Sequence, residues 1–253
     1  MIDHYVNYAQ FYDQGTTTDI VAKVNLIKQT IKQFNPTAKD LLEIACGTGN
    51  VLSQLQGNYN LSGLDLSANM LKIAKTKLPE VELFEDDMTS FKLARKFDVI
   101  ICLFDSVNHL KTFYEWEALF DRAKEHLNIN GVFIFDVNTI TKLEKLSALS
   151  PSRYELEDGY QIAKIDKKDD GLYHWLLDIY TSDDVSNPKV TKNDIPEAAF
   201  PLQQIEKALQ YRFKTVEKEC RAKFVVGTLS SLRSSAIRFM YLFIVLTAWL
   251  TSL

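Results

Sequence analysis

The chain has 253 residues, 46% of them hydrophobic and 25% charged, and a net charge of −4. That length suits one large α/β domain, or a core domain with a small insertion, and the charge lacks the basic footprint of a nucleic-acid binder. Cys46, Cys102 and Cys220 are scattered and odd in number, which reads as reduced, packed thiols in a cytoplasmic protein. His4, His109, His126 and His174 do not cluster, so no metal site is expected.

Residues 4–34 read as two helices broken near Gly15. The first carries Tyr5, Tyr8, Phe11 and Tyr12, and its start has no apolar signal-peptide core. The second places Ile20, Val24, Ile27 and Ile31 on one face and ends at Asn35-Pro36. Leu41, Leu42 and Ile44 then make a short apolar strand, Gly47 and Gly49 a turn, and Val51, Leu52 and Leu55 a helix. Such a turn lets backbone N–H groups approach a ligand closely, because no Cβ intervenes.

Strand and helix continue to alternate. Residues 59–66 read as a second strand, and Ser67 caps a helix that Pro79 stops. Residues 81–84 are a short third strand ending in Glu85-Asp86-Asp87-Met88. Residues 97–104 form an apolar run, as expected of a strand buried on both faces. A helix over 113–127, the turn Asn130-Gly131 and a fifth strand at 132–137 complete a doubly wound, mostly parallel sheet, in which ligands bind beyond the carboxyl ends of the strands.

From about residue 150 the pattern changes. Residues 154–156, 161–166 and 172–181 read as short strands joined by hairpin chemistry at Asp158-Gly159 and at residues 167–171. They define an antiparallel insertion over 150–195, with the core at 1–149 and 196–253. A helix at 201–209 and strands at 213–220 and 237–246, an antiparallel pair at one edge, return the chain to the main sheet. The apolar stretch 237–250 carries Arg238 near its start and is shorter than the roughly 18–20 residues of a spanning helix. Its β-branched and aromatic content reads as a buried strand, so no membrane is expected as a partner.

The polar groups gather at strand ends. Asp65 lies about 20 residues after the glycine turn, where an acid can accept ribose hydroxyls. No third glycine follows Gly49 until Gly57, so a dinucleotide pyrophosphate is poorly served, and a nucleoside ligand without phosphates fits better. Asp86-Asp87-Met88 offers a carboxylate beside a backbone N–H, and Asp105-Ser106-Val107-Asn108-His109 follows the fourth strand.

With Leu-Leu-Glu-Ile-Ala-Cys-Gly-Thr-Gly-Asn (41–50), Leu64-Asp65-Leu66-Ser67, Asp86-Asp87-Met88, residues 97–110 and Gly131 to Asn138, the sequence resembles class I S-adenosylmethionine-dependent methyltransferases. The resemblance covers residues 1–145 well and the rest loosely. It is closest to a small-molecule branch with Tyr5, Ala9, Tyr12 and Asp13 near the N-terminus and a β-hairpin insertion. It implies a Rossmann-like seven-stranded sheet and S-adenosyl-L-methionine as cofactor. The backbone of Ala45, Gly47, Thr48 and Gly49 would pass along the methionyl part, Glu43 would orient it through water, and Asp65 with Leu66 would hold the ribose. Asp87 and the Met88 N–H would read adenine, and the Leu103 carbonyl would take the amino group, with Tyr5 or Tyr12 over it as part of a lid. Met70, Asp86, Phe104 and Asp105 complete the expected cofactor-binding set.

Two departures concern the acceptor side and one the turn. Ala45 stands where the family has its first glycine. The segment 194–200 carries neither the histidine nor the arginine common in relatives, and no Ala-Gly-Phe turn precedes the strand at 213. The reading is a methyltransferase acting on a small molecule, nitrogen rather than oxygen, by in-line displacement, with Asp105 and His109 positioning the acceptor or taking its proton. The insertion would cover the acceptor, and the chain would be a monomer or homodimer. Asn-Pro-Pro-Tyr-type motifs of base methylases are absent after the fourth strand, which argues against nucleic acid. A non-catalytic S-adenosylmethionine-binding module is the alternative, and an NAD-dependent oxidoreductase is disfavoured by the missing third glycine.

Overall fold

The computed structural model describes residues 3, 5, 8–15, 17–181, 189–222 and 240–248. Two helices open the chain, α1 at Ala9–Gly15 and α2 at Thr17–Phe34. The alternating core follows: β1 Asp40–Ile44, α3 Asn50–Leu55, β2 Asn60–Asp65, α4 Ala68–Lys77, β3 Glu82–Glu85, β4 Phe97–Cys102, α5 Phe113–His126 and β5 Leu127–Val137. A 3-10 turn over Ser106–His109 lies between β4 and α5. After β5 come α6 Ile140–Leu149, β6 Ser152–Leu156, β7 Gly159–Lys167, β8 Tyr173–Thr181, β9 Lys189–Glu197, α7 Leu202–Gln210, β10 Phe213–Ala222 and β11 Met240–Ala248.

The main sheet runs β10-β11-β5-β4-β1-β2-β3, and a separate sheet runs β6-β7-β8-β9. Strands β3, β2, β1, β4 and β5 pair in parallel, whereas β11 is antiparallel to both β5 and β10. Side-chain alternation sorts the core into two layers. Leu42, Ile44, Ile100, Cys102, Phe133 and Phe135 face Trp116 and Phe120 of α5 and Ile205 and Leu209 of α7. Leu41, Val99, Ile101, Val132 and Ile134 face Ile27 and Ile31 of α2 and Leu52 of α3. Helices therefore cover both faces, as a parallel sheet requires. Helix α5 begins with a capping box, in which Thr112 Oγ1 accepts from the Glu115 N–H and Glu115 Oε2 from the Thr112 N–H.

Three elements differ from the sequence expectation. Helix α6 is an addition to the expected elements, and Thr139 caps it by accepting from the Lys142 N–H. The insertion has a fourth strand, β9, and extends to Glu197. Among the described residues strand β9 pairs with β8 alone; Lys189, Lys192 and Asp194 are exposed along it, and Pro196 is tolerated at that edge. The fifth strand begins at Leu127 and passes through Asn130, whose φ of 61° bends it where a turn was expected. The opening of the expected last strand, Ile237 to Phe239, lies outside the described residues.

Helix α1 joins the two sheets. Tyr8 packs with Ala163, Leu177, Ile179 and Ile195 of the insertion, and its hydroxyl donates to Gln161 Oε1 at 3.2 Å. The other end of α1 is tied to the core by Asp13. Its Oδ1 accepts from Thr48 Oγ1 at 2.6 Å and Asn50 Nδ2 at 2.8 Å, and its Oδ2 pairs with Lys77 Nζ at 2.5 Å.

Candidate active site

The carboxyl ends of β1, β2, β3 and β4 meet under α1 and border a cavity, partly open to solvent, with about 810 Å³ of empty space. Tyr5, Tyr12, Ala45, Gly47, Asp65, Leu66, Met70, Asp86, Met88, Phe104 and His109 line it, all expected from the sequence. A smaller neighbouring space of about 320 Å³ is lined by Glu43, Thr48 and Leu103 and shares Tyr12, Ala45 and Phe104 with the first. Asp3, Leu64, Ser67, Ser106 and Lys111 also line the larger cavity and were not foreseen.

The turn after β1 is built from left-handed residues. Ala45, Gly47 and Gly49 have φ of 55°, 52° and 77°. A Cβ on Gly47 would meet Tyr12 Cε1 at 3.9 Å, inside the cavity, so this glycine leaves room beside the lid. A Cβ on Gly49 would lie 2.7 Å from Leu78 Cδ1, so this glycine serves the packing of α4 and lines neither space. Ala45 adopts a conformation that glycine takes without strain, which explains why the family pattern favours glycine there.

Asp65 closes the turn from below. Its Oδ2 accepts from the Gly47 N–H at 2.7 Å and its Oδ1 from the Ser67 N–H at 2.8 Å. Burial raises its carboxyl above the ordinary value, and these backbone hydrogen bonds pull the other way. Glu43 is buried and its Oε2 has no hydrogen-bond partner. Burial, reinforced by the Asp65 charge, holds its carboxyl well above the usual glutamate range. A buried carboxylate oxygen without a donor is costly, and it marks a place where a cationic or water-bridged group would be welcome.

Besides Gly49, two expected residues, Asp87 and Asp105, line neither space. The Asp87 carboxylate turns onto its own loop, with Oδ1 accepting from the Thr89 N–H at 2.8 Å and Thr89 Oγ1 at 2.7 Å. Leu103 lines the smaller space, and its carbonyl accepts from Ser106 Oγ at 2.7 Å. Asp105 has a φ of 51° and follows Phe104 at 57°, two left-handed non-glycine residues in succession. The Asp105 N–H donates to Asp136 Oδ1 at 2.8 Å.

The lid is aromatic. Tyr5 and Tyr12 meet edge-on with ring centroids 5.9 Å apart, and Tyr5 also meets the His109 ring at 5.7 Å. Tyr5 Oη lies 3.0 Å from His109 Nε2. Burial pushes the phenols of Tyr5 and Tyr12 well above their ordinary value, so both stay neutral.

Behind the 3-10 turn lies a buried polar network that the sequence reading missed. Asn108 Nδ2 donates to the carbonyls of Asn138 and Ala198, and Asn108 Oδ1 accepts from the Asn138 N–H. Asn138 Nδ2 donates to Glu197 Oε2 at 2.8 Å, and Lys142 Nζ bonds Asn138 Oδ1. Burial and the Asp105 charge hold the Glu197 carboxyl well above its ordinary range. Through Asn138 the network links Glu197, at the end of β9, to Lys142 of α6.

Residues 41–131 match the family model described as a methyltransferase domain. Together with the left-handed turn after β1 and the acid at the end of β2, this identifies the domain. Residues 41–131 therefore carry a class I S-adenosylmethionine-dependent methyltransferase domain. The chain is 36% identical over 136 residues to a dTDP-3-amino-3,4,6-trideoxy-α-D-glucopyranose N,N-dimethyltransferase of Streptomyces venezuelae, covering 53% of this chain and 57% of the relative. A dTDP-3-amino-3,6-dideoxy-α-D-glucopyranose N,N-dimethyltransferase of Streptomyces fradiae is 33% identical over 138 residues, 53% of this chain and 54% of the relative. The matched stretches thus span little more than half the length of these curated relatives. The structure is similar to that of a S-adenosylmethionine-dependent methyltransferase from Clostridium acetobutylicum, with a TM-score of 0.76 and 25% identity over 96% of this chain and 98% of the other. Among the described residues no helix is long and apolar enough to cross a membrane, and no group of three or more His, Cys, Asp or Glu could hold a metal.

Proposed function

We propose that this methyltransferase methylates an amino nitrogen on a small molecule, with an amino sugar carried on a nucleotide as the acceptor class. The observation that carries the reading is the pairing of Glu43 and Asp65 beneath the glycine turn. One acid has an oxygen with no partner and the other lines the cavity, a pair of acceptors suited to an amino-acid ammonium and a ribose. The names of the curated relatives support the acceptor class.

Glu43 would face the methionyl ammonium, Asp65 the ribose hydroxyls, and Asp86 with the Met88 N–H the adenine edge. Tyr5, Tyr12 and Phe104 would wall the sulfur and exclude water. When bound, S-adenosylmethionine supplies a methyl group on a sulfonium, so the protein needs chiefly to align a neutral nitrogen with it. His109 lines the cavity and holds Tyr5 by a hydrogen bond. It therefore stands where it can take the proton the nitrogen loses, whereas Asp105 lines neither space. The insertion packs on the outer side of the tyrosine lid and would close over the acceptor.

The test is incubation with S-adenosylmethionine and a panel of amino-sugar nucleotides, free amino sugars and simple amines, read by mass spectrometry. Mass gain of one or two methylenes on the nucleotide-linked amines supports the proposal. Binding of the cofactor with no methylated product from any amine would instead support a non-catalytic cofactor-binding module.

A further inference from the structure

We propose that Asp136 is a positioning residue for the cofactor pocket, holding the Phe104-Asp105 wall in its left-handed form through the Asp105 N–H. The inference rests on the cofactor assignment above. Two left-handed non-glycine residues in succession persist only where the surroundings hold them. Asp136 lies on β5, fully buried, and lines neither space under the lid. Its Oδ1 accepts the Asp105 N–H at 2.8 Å, and its Oδ2 pairs with Lys23 Nζ of α2 at 2.7 Å. The same ammonium lies 3.8 Å from the centroid of the Phe104 ring. One buried ion pair thus grips both residues of the wall, the backbone of Asp105 and the side chain of Phe104.

The carboxylate and the ammonium have different parts in this arrangement. What the wall needs from position 136 is an acceptor for the Asp105 N–H. The charge on Asp136 is matched by Lys23, and a buried ion pair can be exchanged for neutral groups of similar shape provided both partners change. Loss of the acceptor would let residues 104 and 105 leave the left-handed region. Cofactor would then bind only the fraction of molecules with the wall formed, and its apparent affinity would fall by that fraction.

Two double variants separate acceptor from charge. Lys23→Met/Asp136→Asn keeps an oxygen for the Asp105 N–H. Lys23→Met/Asp136→Leu fills the space but supplies none. The readout is calorimetric binding of S-adenosylhomocysteine, with thermal unfolding as the control. The asparagine variant is expected to bind within a few-fold of wild type. The leucine variant is expected to bind roughly ten- to hundredfold more weakly, the scale of a lost hydrogen bond to a charged group, at a melting temperature close to that of its companion. Wild-type affinity in the leucine variant would overturn the proposal. Amide exchange of the wild-type protein without cofactor tests the same point whether or not the variants fold. Strong protection of the Asp105 N–H is expected, and exchange as fast as in exposed loops would overturn the proposal. Failure of the wild type to bind S-adenosylhomocysteine would speak against the cofactor site and leave the exchange result to judge Asp136.

Discussion

Replacing Asp65 by alanine tests the ribose site and the turn at once. In the structure both carboxylate oxygens are engaged, with the Gly47 N–H at 2.7 Å and the Ser67 N–H at 2.8 Å. Hydrogen bonds to a charged group contribute about 1.5–3 kcal/mol each. Burial raises the Asp65 carboxyl and so offsets part of that gain. A net loss of about 2–3 kcal/mol in folding stability is therefore expected. If the carboxylate also accepts ribose hydroxyls, cofactor affinity should fall by a further 1.5–3 kcal/mol, or roughly ten- to 150-fold. Calorimetry with S-adenosylhomocysteine below the melting temperature of the variant separates the two effects. A lowered melting temperature with unchanged affinity would refute the ribose assignment while leaving the turn intact.

Glu43→Gln should raise the melting temperature of the cofactor-free protein at neutral pH. The buried Glu43 carboxyl is held well above its ordinary 4.5, so the unfolded chain gives up its proton first and native stability declines as pH rises from there. The glutamine variant should show a flatter decline in thermal melts and weaker cofactor binding; a decline as steep as wild type would contradict this. Asp13→Asn should speed cofactor release severalfold in stopped-flow, the scale of about 1 kcal/mol for a partly exposed ion pair. Burial raises the Asp13 carboxyl, but hydrogen bonds from Lys77, Thr48 and Asn50 outweigh it and hold it below its ordinary 3.8. Anchoring of α1 by Asp13 is therefore present above that value and lost as pH falls through the lower folded one; wild type should release cofactor faster on the acid side, and the asparagine variant should not. Gly49→Ala should cost about 1–3 kcal/mol of stability, because φ is 77° and the new Cβ would lie 2.7 Å from Leu78 Cδ1. An unchanged chemical-denaturation midpoint would contradict that reading.

Most of the residues that line the cavity were legible because each part is a local pattern. Leu41 to Asn50 encodes strand, turn and helix within ten residues, and Asp65 and Asp86 each end a short apolar strand. The rest depends on contacts distant in sequence. Lys23 and Asp136 are 113 positions apart, and nothing in either neighbourhood reads as more than a helix face or a strand. Asn108, Asn138 and Glu197 likewise come together only because β5 and β9 end at the same rim. Strand β9 escaped notice because an edge strand with one paired side keeps charges and a proline that argue against strand. Helix α6 had a usable signal, Thr139 before an Ile140-Leu143-Leu146 spacing, that was overlooked beside the change of pattern at residue 150. Asp87 shows the reverse case: the residue type matched the family pattern, but its carboxylate is held by Thr89.

The central claim, methyl transfer to an amino group on a nucleotide-linked sugar, is tested most directly by a coupled assay for S-adenosylhomocysteine with product mass analysis. Wild type should form one S-adenosylhomocysteine per methyl group gained by the amine, and His109→Ala should lower kcat far more than it weakens S-adenosylhomocysteine binding. Tight cofactor binding with no S-adenosylhomocysteine formed above background, for any amine offered, would contradict the account.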